Sequence, residues 1–168
     1  VAHFRAMANA MEPLADGIRL SFIGDIMWIG EDWDTYALPA ADALDGDLRV
    51  GNLETPVAES FPTNLDELDF LTFNAPSSLL EGLPLDVVQL TNNHTWDLGE
   101  TGLDETLAAV DASGLLRTGV DTQLLAEVGG TTVAFIGATW GHNRRDVVSQ
   151  HAMFEVPFGH LEQDMDLT

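Results

Sequence analysis

The chain has 168 residues, 45% of them hydrophobic, which is enough for one domain with a buried core. It carries 28 acidic and 6 basic residues, and its net charge of −22 argues against a surface that binds nucleic acid or anionic lipid. The absence of cysteine excludes disulfides, thiolate zinc sites and a cysteine nucleophile. No apolar run approaches the length of a membrane span.

All six basic residues are arginine, and the sequence contains no lysine. Such a balance suits a protein kept soluble in concentrated salt, because dissolved ions screen the repulsion between its carboxylates. We therefore hypothesise a salt-adapted (halophilic) source; the alternative is an ordinary acidic protein from a genome rich in guanine and cytosine. Loss of structure when KCl is added would contradict the salt-adapted interpretation.

Short apolar runs in the first half of the chain predict alternating strands and helices. Strands are predicted at residues 18–24 and 47–50, with a short helix over residues 37–44 between them. A helix of about two turns is predicted over residues 77–82, and a third strand over residues 86–90 follows it.

The second half of the chain continues the same alternation. Leucine and valine recur at helical spacing across residues 100–112, and Gly114 is a typical helix stop. The chain then returns to the sheet at residues 115–119. Two strands, at 124–128 and 131–138, flank a pair of glycines typical of a hairpin, and the second strand is expected to be well buried. This order predicts an α/β fold with a mostly parallel sheet flanked by helices.

Polar residues follow three of the predicted strands. They are Asp25, then Asn52 and Glu54, then Asn92-Asn93-His94 with Asp97 close behind. The carboxyl ends of parallel strands meet at one edge of a sheet, where ligands bind, and glycines before Asp25 and Asn52 are expected to let the backbone turn sharply there. Oxygens of Asp, Glu and Asn and a nitrogen of His bind divalent metals. The alternative is that these residues serve only as turn and cap residues.

Three segments carry a resemblance to a known family. Phe22-Ile23-Gly24-Asp25-Ile26-Met27, Gly51-Asn52-Leu53-Glu54-Thr55-Pro56 and the stretch over residues 91–107 resemble the CapA family of poly-γ-glutamate capsule synthesis proteins. The Asn-Asn-His-x-x-Asp-x-Gly block of the third segment is the most specific part. The resemblance covers residues 20–138 and implies the calcineurin-like metallophosphatase fold, here half of an α/β/β/α sandwich.

The resemblance also implies a metal site and roles for its residues. Asp25, Glu54 and Asn93 would be metal ligands for one or two divalent ions of Mn, Zn or Fe. His94 would stabilise charge or donate a proton to a leaving oxygen, and it forms the implied catalytic pair with Asp97. Two metals suit phosphoester hydrolysis, because they activate water and neutralise charge on the transferring group. The residues implied to surround the ligands or face the substrate are Asn52 and Asn92.

The sequence departs from the family pattern in two respects. Met27 stands where related phosphatases have a His two residues after the first Asp. The His-rich motifs of the family's second half are missing. His142 and His160 follow the wrong strand and lack a partner His, so we expect them to be exposed or to pack in loops. We therefore expect one domain over residues 1–168 that is incomplete at its C-terminus: a fragment, a degenerate form, or a chain that completes its sheet as a homo-oligomer.

Three functions follow as hypotheses. The resemblance implies a part in making, anchoring or processing an acidic polymer such as poly-γ-glutamate, at the cell surface, although the chain shows no signal or anchor segment. The alternatives are a non-catalytic structural or interaction domain and a metal-dependent phosphoesterase of unknown substrate.

Two further groups of residues have two interpretations each. Trp28, Trp33 and Tyr36 line a substrate mouth or pack in the core. Arg144-Arg145 binds a substrate anion or pairs with nearby carboxylates.

Overall fold

The computed structural model describes residues 17–30, 44–144, 147 and 149–155. Within these ranges four strands form one sheet in the order β1-β2-β3-β4, and every neighbouring pair is parallel. The predicted α/β class with a mostly parallel sheet is therefore confirmed. The strands are β1 Leu20–Ile26, β2 Leu48–Leu53, β3 Val87–Gln89 and β4 Leu116–Thr118.

Some predictions fall outside the described residues. The predicted helix over residues 37–44 lies outside them except for Leu44, and so do Trp33, Tyr36, Arg145 and His160. Trp28 is described, and its half-buried ring packs against the main hydrophobic core.

Two α-helices pack on the same face of the sheet. They are α1 Ser78–Glu81 and α2 Gly99–Ser113, and α2 ends at Gly114, whose φ of 83° is the left-handed conformation expected of a glycine stop. Alternate residues of a strand face the same side of the sheet. The residues of β2 and β3 that face the helices share one hydrophobic core with the buried side chains of both helices. The main members of this core are Leu53, Leu79, Val88, Leu103 and Val110.

A β-hairpin covers part of the opposite face. Strands β5 Leu124–Val128 and β6 Thr131–Phe135 are antiparallel and join through Gly129 and Gly130, whose φ values of 56° and 81° suit a two-residue hairpin loop. The hairpin packs against Val50 and Val87. The prediction that its second strand is well buried was wrong. One face of β6 is exposed, and Ile136 just beyond it is 72% exposed, because the hairpin is an outer layer with a solvent side.

The predicted glycine turn at Gly51 was also wrong. Strand β2 continues through Gly51 to Leu53, and Gly51 is buried. A Cβ atom there would lie 2.7 Å from Leu85 Cδ1 and 2.8 Å from Ile26 Cδ1. Glycine therefore makes no turn at this position and instead leaves room in the core for the side chains of Leu85 and Ile26.

The irregularity that shapes the strand ends lies in β1 instead. Phe22 pairs with Val50 and Asp25 pairs with Asn52, so two β1 residues lie opposite one β2 residue. Because of this extra residue, the side chains at the end of β1 alternate between the faces of the sheet out of step with those of β2. This bulge brings Asp25 into register with Asn52 at the carboxyl edge.

Arg49 of β2 and Asp86, just before β3, tie two neighbouring strands together. The carboxylate of Asp86 accepts hydrogen bonds from Arg49 Nε at 2.9 Å, from Nη2 at 2.8 Å and from the Arg49 backbone N–H at 2.8 Å. These hydrogen bonds hold the pKa of Asp86 below its usual value, although burial alone would raise it.

We expect Asp86→Asn to lower the free energy of unfolding by about 1–2 kcal/mol at neutral pH. Because the pKa of Asp86 is lowered in the folded state, its contribution is present above the unfolded pKa of about 3.9 and is lost as pH falls through the folded pKa. Urea unfolding at several pH values should therefore show the two proteins converging in acid. Asp45→Asn, which breaks an exposed pair with Arg19, is the control and should cost less than about 1 kcal/mol.

Candidate functional site

The carboxyl ends of β1, β2 and β3 bring four of the candidate residues into one hydrogen-bonded chain. The amide nitrogen of Asn52 donates to Asp25 Oδ1 at 2.8 Å and to Glu54 Oε2 at 2.5 Å. The amide oxygen of Asn52 accepts a hydrogen bond of 3.1 Å from Asn92 Nδ2. Two carboxylates from different strands thus lie within hydrogen-bond distance of a single nitrogen.

Burial separates the two carboxylates of this chain. Asp25 is exposed, whereas Glu54 is 7% exposed. Burial raises the pKa of Glu54, and the neighbouring charge of Asp25 raises it further. Glu54 is therefore a carboxylate whose negative charge is poorly compensated, and a cation at this place would stabilise it.

His94 and Asp97 form a buried pair beside Glu54. His94 Nδ1 lies 2.7 Å from Asp97 Oδ2, and Asp97, only 2% exposed, also accepts the backbone N–H of Phe73 at 3.2 Å. An ionised carboxylate only accepts hydrogen bonds, so Nδ1 of His94 carries a proton. The other ring nitrogen, Nε2, lies 3.8 Å from Glu54 Oε1. Burial lowers the pKa of His94, but the hydrogen bond and charge of Asp97, with the charge of Glu54, outweigh it, and the net pKa is raised.

Local hydrogen bonds shape the loop that carries these side chains. Thr95 Oγ1 donates to Leu90 O at 2.7 Å, and the same hydroxyl accepts the backbone N–H of Asn92 at 2.9 Å. Asn92 Oδ1 in turn accepts the backbone N–H of His94 at 3.0 Å. Asn92 therefore both supports the loop and holds the side chain of Asn52.

Asn93 is positioned differently from its neighbours. Its backbone oxygen accepts a hydrogen bond of 2.8 Å from the backbone N–H of Asn143. Its half-buried side chain makes no hydrogen bond to another residue in the part of the chain that the structure describes. The amide oxygen of Asn93 is thus available to a ligand.

The model of one known protein family matches most of the chain. The model of a family described as "Bacterial capsule synthesis protein PGA_cap" matches residues 19–162. The chain belongs to this family. The resemblance inferred from the three strand-end segments is thereby confirmed. No curated protein matches the sequence.

Two residues that contact His94 in this PGA_cap chain were not predicted from the sequence. Asn143 Nδ2 lies 3.2 Å from His94 Nδ1, and the ring of Phe73 meets the imidazole edge-on with the centroids 5.0 Å apart. Asn143 lies between two features that the sequence did indicate, His142 and the Arg144-Arg145 pair, but it carried no signal of its own. Phe73 lies in an irregular acidic segment without any signal of its own.

The neighbouring residues of the same loop have structural contacts. His142 packs in the loop as expected, with its ring against Trp96 and Nε2 3.3 Å from Glu155 Oε1. Arg144 Nη1 donates to the backbone oxygen of Asp97 at 3.2 Å. Arg144 therefore adds a fixed positive charge next to the His94–Asp97 pair.

A groove of about 240 Å³ lies beside Asn52 on the hairpin side of the sheet. Its walls combine exposed apolar side chains, Phe22 and Ile136, with the polar side chains of Gln89 and Thr118. The groove is smaller than a typical small-molecule site of roughly 300 Å³ or more, so it suits part of a ligand rather than a whole one.

Two features are absent from the residues that the structure describes. Within residues 17–30, 44–144, 147 and 149–155, no three His, Asp or Glu side chains cluster closely enough to hold a metal by themselves. In the same part of the PGA_cap chain, no helix is long and apolar enough to cross a membrane.

Proposed function

We propose that this PGA_cap domain binds a divalent cation at the carboxyl edge of its sheet, with Asp25, Glu54 and Asn93 as ligands. The observation that carries the proposal is the convergence of two carboxylates from different strands on one amide nitrogen. Carboxylate and amide oxygens suit hard or borderline cations such as Mn²⁺. The raised pKa of Glu54 supports the proposal, because a nearby cation would remove the repulsion from Asp25.

The residues around this edge suit hydrolysis of a phosphoester. A bound divalent cation would activate water and neutralise charge on the transferring group. Asp97 accepts the Nδ1–H of His94 and holds the imidazole in one orientation, so the charged imidazolium has a second proton on Nε2 to donate to a leaving oxygen. The raised pKa of His94 keeps that proton in place to a higher pH than usual.

The substrate that we propose has an anionic group and an uncharged part. With a net charge of −22, the protein would meet a polyanion such as a capsule polymer only through a bound cation or through arginine such as Arg144. The groove between Phe22 and Ile136 offers space for an uncharged part of the substrate next to Asn52. These features favour processing of an acidic capsule polymer or of a phosphoester precursor.

A second candidate function is a non-catalytic domain of a capsule synthesis protein. Two observations favour it: Met27 stands where related phosphatases place a His, and no three acidic or His side chains cluster within the described residues. Such a domain would serve assembly or interaction, with the polar edge as a structural hydrogen-bond network.

Mn²⁺ binding and phosphodiester hydrolysis distinguish these two functions. We expect calorimetry at high KCl to show saturable, stoichiometric Mn²⁺ binding, and bis(4-nitrophenyl) phosphate to be hydrolysed only when Mn²⁺ is present. His94→Asn should keep the binding and lose the hydrolysis, because it removes the proton donor and not a proposed ligand. Binding without hydrolysis would limit the edge to a metal site, and no binding of Mn²⁺ or Zn²⁺ would favour the non-catalytic domain.

A further inference from the structure

Residues 139–155 form a loop whose two ends meet. Thr139 and Glu155 form a parallel bridge, and the backbone N–H of Thr139 donates to Phe154 O at 3.1 Å. Close to the returning end, Met153 forms an antiparallel bridge with Val120 and packs against the main core. We call residues 139–155 the closing loop; the structure describes all of it except residues 145, 146 and 148.

The first part of the closing loop lies against the candidate site. The backbone N–H of Asn143 donates to Asn93 O at 2.8 Å, and its side chain contacts the imidazole of His94. Arg144 reaches the backbone oxygen of Asp97. Asn143 and Arg144 therefore bring the first part of the closing loop into contact with the candidate site.

The second part of the closing loop is held at His151. His151 Nδ1 lies 2.5 Å from Asp121 Oδ2, and Nε2 lies 2.9 Å from Asp104 Oδ1 of α2. The side chain of His151 is 11% exposed. Ala152 adds two backbone contacts to Asp121, because its N–H donates to Oδ1 at 2.7 Å and its oxygen accepts the Asp121 N–H at 2.9 Å.

This geometry requires a doubly protonated imidazole. Each ring nitrogen of His151 faces a carboxylate oxygen, and ionised carboxylates only accept hydrogen bonds. A neutral imidazole has a single N–H, so it could satisfy only one of the two partners. We propose that His151 is a protonation-dependent latch, which in its charged form seats the closing loop and holds Asn143 against His94.

Other charged groups around His151 favour its charged form. Glu100 of α2 accepts the backbone N–H of Gln150 at 3.1 Å and adds a third negative charge near the ring. The positive charge of Arg117 in β4 helps to keep Asp121 ionised, and so available as an acceptor for His151. The ring of Trp96 packs against the imidazole with the centroids 6.3 Å apart and limits its contact with water.

The direction of the pH dependence follows from these groups. Burial lowers the pKa of His151, but the hydrogen bonds that it donates to Asp121 and Asp104 outweigh this effect, so its folded pKa lies above the usual value of about 6.5. The latch is therefore complete below that usual value and is lost as pH rises through the folded pKa. The pKa of Asp121 is lowered, so the contribution of Asp121 to the latch is present above its unfolded pKa of about 3.9 and is lost in stronger acid.

Amide hydrogen exchange of the metal-free full chain in EDTA tests the latch without any assumption about metal or activity. The reporters are the amides of Asp121, Ala152 and Asn143, and the amide of Val88 in β3 shows that the fold is intact. After correction for intrinsic exchange, we expect protection of the reporters to fall roughly tenfold or more between about pH 5.5 and about pH 8.5. Protection of Val88 should stay constant.

Variants make the result decisive. His151→Gln cannot gain a proton, so its reporters should be weakly protected at both pH values. His142→Gln removes a different contact of the closing loop, the one with Glu155, and should keep the wild-type change of protection with pH. Asp104→Asn removes the negative charge beside Nε2 of His151 and should move the loss of protection to lower pH. The proposal is overturned if wild-type protection does not change with pH, or if His151→Gln keeps the wild-type change.

Discussion

Asp25→Ala is expected to weaken Mn²⁺ binding by about 100-fold or more. Loss of a residue that only supports a metal ligand weakens binding by about 10- to 100-fold, and loss of a ligand should cost at least as much. Asp25 is the exposed member of the pair of carboxylates that converge on Asn52, and it supplies one of the two negative charges. Glu54 and the amide of Asn93 would remain, and these alone offer a divalent cation a single carboxylate. Calorimetric titration with Mn²⁺ at high KCl measures the change.

A matched control separates this effect from a general loss of charge. Asp69→Ala removes the same charge from an exposed position in the segment before Phe73, so its Mn²⁺ affinity should equal that of the wild type. Without metal, Asp25→Ala should be as stable as the wild type or slightly more so. The reason is that removal of Asp25 relieves the repulsion that contributes to the raised pKa of Glu54. Unchanged Mn²⁺ affinity in Asp25→Ala would contradict the proposed metal site.

Asn74→Ala is expected to cost about 3 kcal/mol of the free energy of unfolding, because it leaves the buried backbone N–H of Ala58 without a partner and removes the hydrogen bonds to three backbone oxygens. Asn74 is fully buried, and its side chain holds the irregular segment that follows β2. Its Oδ1 accepts the backbone N–H of Ala58 at 2.9 Å. Its Nδ2 donates to the backbone oxygens of Ala58 at 2.8 Å, Phe61 at 3.0 Å and Pro62 at 3.2 Å.

Urea unfolding followed by circular dichroism, at fixed KCl, measures this loss. Asn64→Ala is the control, because Asn64 is exposed and its side chain caps only a short 3-10 helix at Leu65–Glu67. The control should cost about 1 kcal/mol or less. Equal losses in both variants would show that the buried network of Asn74 adds nothing beyond an ordinary cap.

Features that depend on neighbouring residues were predictable from the sequence. The helix over residues 100–112 is present as α2, because its apolar spacing and the glycine at its end act within a few turns. The hairpin was predictable for the same reason, since Gly129 and Gly130 adopt the positive φ that a two-residue loop requires. Burial of the second hairpin strand was not, because it depends on which layers cover the sheet.

The candidate site was predictable only in part. Asp25, Asn52, Glu54 and the Asn92–His94 stretch follow strands directly, and parallel pairing brings such strand ends to one edge. The roles proposed for these residues stay predictions. Asn143 and Phe73 lie 49 and 21 residues from His94 in sequence, and their contacts with it depend on how a loop and an irregular segment fold back.

The sequence by itself determined the α/β class, the family and the edge of the sheet where the polar residues gather, because these follow from local patterns and from motifs. Only the tertiary structure decided that Gly51 is a packing position, that a bulge in β1 places Asp25 beside Asn52, and that His151 joins Asp104 to Asp121. Each of these depends on atoms that are distant along the chain. Their contacts arise from the packing of whole elements, which no local pattern of residues specifies.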